Sequence, residues 1–223
     1  MKLHANSIAA FSRPVVLFIE ANDLDVELVH VDIFGGECQS EAFARMNPSR
    51  QIPVLEDDGF ILTECASILR YLASKFDSPA YPKDLRQRAR VDEAMDWMNT
   101  GFSRDFQYNF IYPQILDNHK RPSSEVHQGT VMWGQEQSRK WMQVLENKWL
   151  ATPYFCGDRI TIADYFATGG LLVGELIELD LGQYPNVARW LQGMKNLPGW
   201  SKVDYAANGL VDAMRGPDYV GLH

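Results

Sequence analysis

The periodicity of apolar positions changes once along this chain, near residue 77. Before that point strand-like and helix-like stretches alternate. Lys2-Leu3-His4-Ala5 reads as a short strand, Pro14 to Asn22 as a helix with Val15, Phe18 and Ile19 on one face, and Val26 to Val31 as a second strand. Ser40 to Met46 predicts a short helix that turns Phe43 and Met46 inward. Val54-Leu55-Glu56 and Phe60-Ile61-Leu62 flank the tight turn Asp57-Asp58-Gly59 as a hairpin. A helix follows at once, with Thr63 as its expected N-cap and Ala66, Leu69, Leu72 and Ala73 at helical spacing. A strand-helix-strand start implies a parallel pair joined by a right-handed crossover, which the hairpin extends in the antiparallel sense.

Asp77-Ser78-Pro79-Ala80-Tyr81-Pro82 cannot continue the preceding helix, because its two prolines lack the N–H that a helix interior needs. Beyond it every pattern is helical. Leu85 to Leu116 predicts one long helix or a kinked pair, with Gly101 a weak point and Pro113 near the end. Another helix runs from Ser123 or Ser124 to about Trp149, and a loop occupies Pro153 to Asp158. Thr161 and Asp164 are spaced as a capping box that opens a buried helix through Leu171, Leu172 and Val173. Helices over Asn186 to Asn196 and Pro198 to about Tyr205 precede an irregular tail containing Arg215-Gly216-Pro217-Asp218-Tyr219. The expected division is an α/β domain over 1–76, a linker over 77–82 and an all-α domain over 83–223.

Composition narrows the class of function. With 46% hydrophobic residues among 223, the chain can bury a substantial core. A net charge of −8 argues against nucleic acid or an anionic membrane as the main partner. No run of about 18 apolar residues is long enough to span a bilayer, and the apolar segment at the start is too short for a signal peptide, so a cytoplasmic location is expected. Cys38, Cys65 and Cys156 show no paired spacing, and the five histidines no H-x-x-x-H pattern, so neither disulfides nor a metal is expected.

Two local features carry candidate chemistry. Ile52-Pro53 stands directly before a strand, where a proline removes a ladder donor and a cis bond would free the amide and carbonyl of Ile52 to pair with an extended peptide. Glu64 and Cys65 fall in the first turn of a helix, whose free N–H groups suit a carboxylate, while Glu64 suits an ammonium. Punctuation of the strand and helix accounts for the same residues.

The run Asn47-Pro48, Gln51-Ile52-Pro53-Val54-Leu55, Leu62-Thr63-Glu64-Cys65, Ile68 and Tyr71-Leu72 resembles the glutathione-site half of soluble glutathione transferases. Tyr81-Pro82-Lys83-Asp84-Leu85, Arg88-Ala89-Arg90-Val91-Asp92-Glu93 and Thr161-Ile162-Ala163-Asp164 are similar to the theta-type branch and its bacterial relatives. The resemblance implies a thioredoxin-like first domain that binds glutathione as co-substrate and a helical second domain that binds a small apolar electrophile. Gln51, Ile52, Pro53, Glu64 and Cys65 are the implied glutathione contacts. Cys38 falls where relatives often place a basic residue, Gln51 where a lysine is common, and Arg50 is a candidate compensation.

The transferred group must be ionised, and lowering a thiol near pKa 8.5 by about 2 units takes about 2.7 kcal/mol. The family's theta-type donor is a serine four residues before an arginine. If Arg13 is that arginine, the donor position falls on Ala9. Ser12, Ser7 and the backbone amides at Ala9, Ala10 and Phe11 are the candidates to replace it. For the second-substrate wall, Phe102, Phe106 and Phe110 recur on one helical face and Tyr108 and Tyr112 on another, with Met98 and Arg104 on the same helix. The resemblance also implies a homodimer in which the first domain of one subunit packs on the long helix of the other around Arg88 to Trp97. A non-catalytic glutathione- or protein-binding member of the fold is the alternative to turnover.

Overall fold

A computed structural model describes residues 1–204 and 219–222. Its first unit is a four-stranded sheet in the order β2-β1-β3-β4, built from β1 (Lys2–Ala5), β2 (Glu27–His30), β3 (Val54–Asp57) and β4 (Phe60–Thr63). β1 and β2 are parallel, with Leu3 opposite Leu28, and β1 and β3 antiparallel, with Leu3 opposite Leu55. Helix α1 (Arg13–Ala21) makes the expected crossover, α2 (Glu41–Met46) is capped by Ser40, whose hydroxyl accepts the Phe43 N–H at 3.1 Å, and α3 (Cys65–Lys75) closes the unit. This is the thioredoxin-like arrangement that the resemblance implies.

α1 is buried without a break from Arg13 to Ile19, more than one amphipathic face requires. The reason is that it is packed on two sides. Leu17 and Phe18 are fully buried in a core continuous with the helical unit, and the Phe18 ring meets Tyr165 edge-on at 5.1 Å. Each such side chain contributes about 1.5–3 kcal/mol on burial, so the two units share one core.

The long helix is unbroken from Leu85 to Ile115 but not uniform. It is α-helical over α4 (Leu85–Trp97), widens to i→i+5 hydrogen bonding over Met98–Phe102 and Arg104–Ile111, and ends as α5 (Tyr112–Ile115). Gly101 lies in the first wide turn, where a Cβ would stand 2.9 Å from the Trp141 ring. α6 (Ser124–Val144), capped by Ser123, runs alongside. The capping box at Thr161 and Asp164 forms and starts α7 (Ile162–Leu171), whose every residue is buried, and a 3-10 stretch then carries the chain through Leu172–Ile177. α8 (Pro185–Lys195) follows, its first N–H groups bonded to the buried Glu146 carboxylate at 3.0 Å.

Two expectations differ from what is observed. Thr63 is the last residue of β4 rather than a helix cap, because Glu64 occupies the cap position with φ 71° and ψ 117° and no side chain bonds the first turn. The helix expected from Pro198 is only a 3-10 turn over Trp200–Lys202, entered through Gly199 at φ 80°. Tyr205 and the tail residues Arg215 to Asp218 lie outside the described residues.

Candidate active site

A cleft of about 410 Å³ opens between the sheet unit and the helical unit. Phe11, Asn47, Gln51, Ile52, Pro53 and the start of α3 form one wall. Asp96, Asn99 and Tyr108 from the long helix and Phe166 from α7 form the other.

The sheet-side wall follows from local chemistry. Asn47 ties the approach to β3, its amide donating to the Gln51 carbonyl at 2.7 Å and its side-chain oxygen accepting the Ser49 N–H at 3.0 Å. The Ile52-Pro53 bond beyond it is cis. Glu64 adopts a positive φ that L residues rarely tolerate, at a cost of about 1–3 kcal/mol, and α3 begins immediately after it with uncapped amides. Such a terminus offers N–H donors and a positive dipole end to an anion. The Cys65 thiol beside it is pushed well above its ordinary pKa by burial and by Glu64, so it stays protonated and is no nucleophile. Arg70, on the next turns of α3, bonds Asp92 at 2.7 Å and Asp96 at 3.3 Å, joining the two walls at one end.

The loop before α1 is fixed from both sides. Asn6 accepts the Ala9 N–H on its carbonyl at 3.0 Å and the Ile8 N–H on its side chain at 3.2 Å. Ala9 in turn accepts from Ser12 and Arg13. The N–H groups of Ala10 and Phe11 make no hydrogen bond among the described residues. The loop presses on α7 at Gly169, where a Cβ would overlap the Ala10 carbonyl oxygen and lie 2.7 Å from the Pro14 ring.

Of the residues expected from the sequence, the structure brings Phe11, Gln51, Ile52, Pro53, Glu64 and Cys65 into this cleft. Others lie elsewhere. Ser12 is fully buried, its hydroxyl without a partner among the described residues, and neither it, Ser7, Ala9 nor Ala10 lines the cleft. Cys38 is buried with Val31, Phe43 and Val54, and its thiol is raised by that burial and by Glu37. Arg50 turns away to the Glu41 carboxylate at 2.8 Å and to the Gln39 carbonyl. Met98, Phe102 and Phe106 are core residues, the last two with no exposed surface, and Arg104 grips the buried Asp105 through two hydrogen bonds of 2.9 and 2.7 Å. On the long helix Tyr108, and none of Phe102, Phe106 and Phe110, meets the cleft. Asp96, Asn99 and Phe166 were not singled out in the sequence, where α7 reads only as a buried helix.

The arrangement provides a free strand-entry backbone, a carboxylate beside a helix N-terminus, the open amide of Phe11 and three aromatic rings around one space. Residues 2–74 match the glutathione S-transferase N-terminal domain and residues 111–198 the C-terminal domain. Human glutathione S-transferase theta-1 is 32% identical over 208 residues, covering 89% of this chain and 84% of that protein. Glutathione S-transferase 1 of Manduca sexta is 28% identical with 94% of each covered. Among solved structures, apo human glutathione-S-transferase T1-1 superposes with a TM-score of 0.79 at 29% identity, covering 96% of this chain and 90% of that one. Human glutathione transferase theta-2, solved with glutathione and an unknown ligand, gives 0.77 at 27% identity over 95% of this chain and 86% of that one. With both halves of the chain matched in order and the cleft lying between them, this protein belongs to the glutathione S-transferase family.

Proposed function

We propose that this protein is a glutathione transferase that joins the glutathione thiolate to a small apolar electrophile, by addition or by displacement. The cleft carries the reading, because peptide-binding and apolar surfaces face each other across it. The Ile52 backbone suits the cysteinyl amide, the α3 amides at Cys65 a carboxylate, and Glu64 the ammonium of the γ-glutamyl group. Gln51 flanks the peptide, while Phe11, Tyr108 and Phe166 receive the electrophile. Phe102, Phe106 and Met98 support that wall from behind rather than touching substrate.

The thiolate needs a donor at the sulfur, and the open amide of Phe11, which lines the cleft, supplies it better than the buried Ser12 hydroxyl. The test is a titration of bound glutathione by its ultraviolet thiolate absorbance. Wild type should hold the thiol below its free pKa, Ser12→Ala should leave that value unchanged, and Ala9→Ser should lower it further if residue 9 reaches the sulfur. A bound thiol at its free value in wild type would leave a binding protein in place of an enzyme.

The function suits a cytoplasmic protein working without metal or nucleic acid, divided at 77–82 between its two units. We also place a homodimer contact on the face of α3 and α4. Arg88 has an internal task there, stacking on Tyr81 at 4.6 Å and donating to the Pro82 carbonyl at 2.8 Å, so the contact falls on the helix around it rather than on its guanidinium. Light scattering at micromolar concentration should return twice the 25.4 kDa chain mass, and the single mass would refute the dimer.

A further inference from the structure

Outside the cleft, a larger hollow of about 960 Å³ lies where the linker, the first turns of α4 and the loop before α7 meet. It shares no lining residue with the cleft. On α4 it is bordered by Arg86, Gln87 and Arg90, whereas Asp92 meets Arg70 of α3 on a different side of that helix. Its charge runs against that of the whole chain. The protein carries a net −8, yet Lys83, Arg86, Arg90 and Arg159 line this space against the carboxylates of Asp77 and Asp158. Most arginines here are engaged by a carboxylate, a carbonyl or a ring. Among the described residues the exceptions are Arg45, Arg86 and Arg159, and the last two border the same hollow. Lys83 pairs with Asp77 at 2.6 Å and Arg90 with Glu93, but these pairs are exposed, where an ion pair contributes little and leaves its cation open to a stronger anion. The Cys156 thiol on the wall is held protonated by burial, at a pKa of about 11, and adds no negative charge. Pro79, Pro82 and Ile160 supply an apolar stretch beside the cations.

We infer that this hollow is a binding site for a small organic phosphate, its phosphoryl oxygens held by Arg86 and Arg159 and its body resting on Pro79, Pro82 and Ile160. A guanidinium presents its N–H groups as a flat fork that matches two oxygens of a phosphate. A diphosphate carries enough oxygens and charge to engage both forks and the flanking Lys83 and Arg90, which a lone carboxylate does not. The volume lies at the upper end of ordinary small-molecule sites and accommodates a nucleotide. The site does not depend on the transferase reading, because a ligand here leaves the cleft open. It does touch the seam between the two units. The Ala80 carbonyl of the linker accepts the Ile162 N–H at 2.9 Å, and Thr161 on the wall belongs to the box that starts α7.

Calorimetry on the full chain with ADP, pyrophosphate and adenosine tests the assignment. ADP should bind, adenosine should not, and pyrophosphate should displace ADP. Arg86→Gln and Arg159→Gln should each weaken ADP roughly 10-fold, and the double variant roughly 100-fold, as expected for charge-assisted hydrogen bonds. Both side chains are exposed and without partners among the described residues, so these variants keep the fold. Arg45→Gln removes the unpartnered arginine outside the hollow and should change nothing. Glutathione should not displace ADP. The proposal is overturned if ADP does not bind, if adenosine binds as tightly, or if glutathione competes and so places ADP in the cleft. Binding of ADP by the Arg86 and Arg159 variants at wild-type strength overturns it as well, and so does an equal loss in Arg45→Gln, which would reduce the effect to the overall charge of the chain.

Discussion

Asp164→Ala should lower the unfolding free energy by about 3–5 kcal/mol, with most of the loss coming from donors left unpaired at about 1–3 kcal/mol each. The carboxylate is fully buried and accepts from the Thr161 N–H at 2.8 Å, the Thr161 hydroxyl at 2.9 Å, and the Phe155 N–H and Trp190 Nε1 at 3.0 Å. One side chain thus starts α7, fixes the loop before it and holds α8 against both. Chemical denaturation of wild type and variant measures the difference, and a loss under about 1 kcal/mol, the typical value of a helix cap alone, would mean that the cross-helix bonds carry nothing. Burial also raises this carboxyl to about 6 against an ordinary 3.8, even with those donors in place. The native state then holds its proton more tightly than the unfolded chain, so this group's contribution is complete below pH 3.8 and declines as pH rises through about 6. Asp164→Asn should flatten that part of the stability profile.

Glu64→Ala should weaken glutathione binding by about 1.5–3 kcal/mol, the range for losing a charged hydrogen bond, or roughly 10- to 150-fold in Kd. Alanine at φ 71° retains the backbone difficulty that Glu64 has, whereas glycine removes it. Glu64→Gly therefore separates the carboxylate from the backbone. Similar losses in both variants assign the effect to the missing charge, and a glycine variant that binds like wild type assigns it to the turn. Calorimetry that finds full affinity in the alanine variant would remove Glu64 from the site.

Elements whose signal is local are legible in the sequence. The Thr161-Asp164 box caps its helix as its spacing predicts, and Ser40 and Ser123, expected at helix starts, prove to be caps, because a cap depends on three or four adjacent residues. That Gln51 to Pro53 and Glu64 to Cys65 share one wall of the cleft is equally legible, since they belong to one short stretch of chain. The opposite wall is not. A phenylalanine stripe and a tyrosine stripe on the long helix differ by where the period is counted from, and the wide turns over Met98–Phe102 and Arg104–Ile111 shift that count. Arg50 was misplaced for another reason. Its attraction to Glu41 and to the end of the preceding turn depends on a left-handed backbone at φ 55°, which nothing in the residue itself announces. Phe166 reaches the cleft only because α7 crosses behind the loop at Ala10, a contact between parts of the chain more than 150 residues apart.

That crossing bears on how the protein can be cut or recombined. At Gly169 the helix backbone and the Ala10 carbonyl come closer than any side chain would allow, and Phe18, Asn22 and Glu20 make further contacts from the first unit to Tyr165 and Lys202. A fragment ending after α3 would present the apolar side of α1 to water and lose the support that sets the loop carrying its open amides. The cleft is consequently a joint property of both units. Chimeras that exchange the helical part between relatives must carry a glycine at position 169, or the loop on the other side of the seam will be pushed out of register with its ligand.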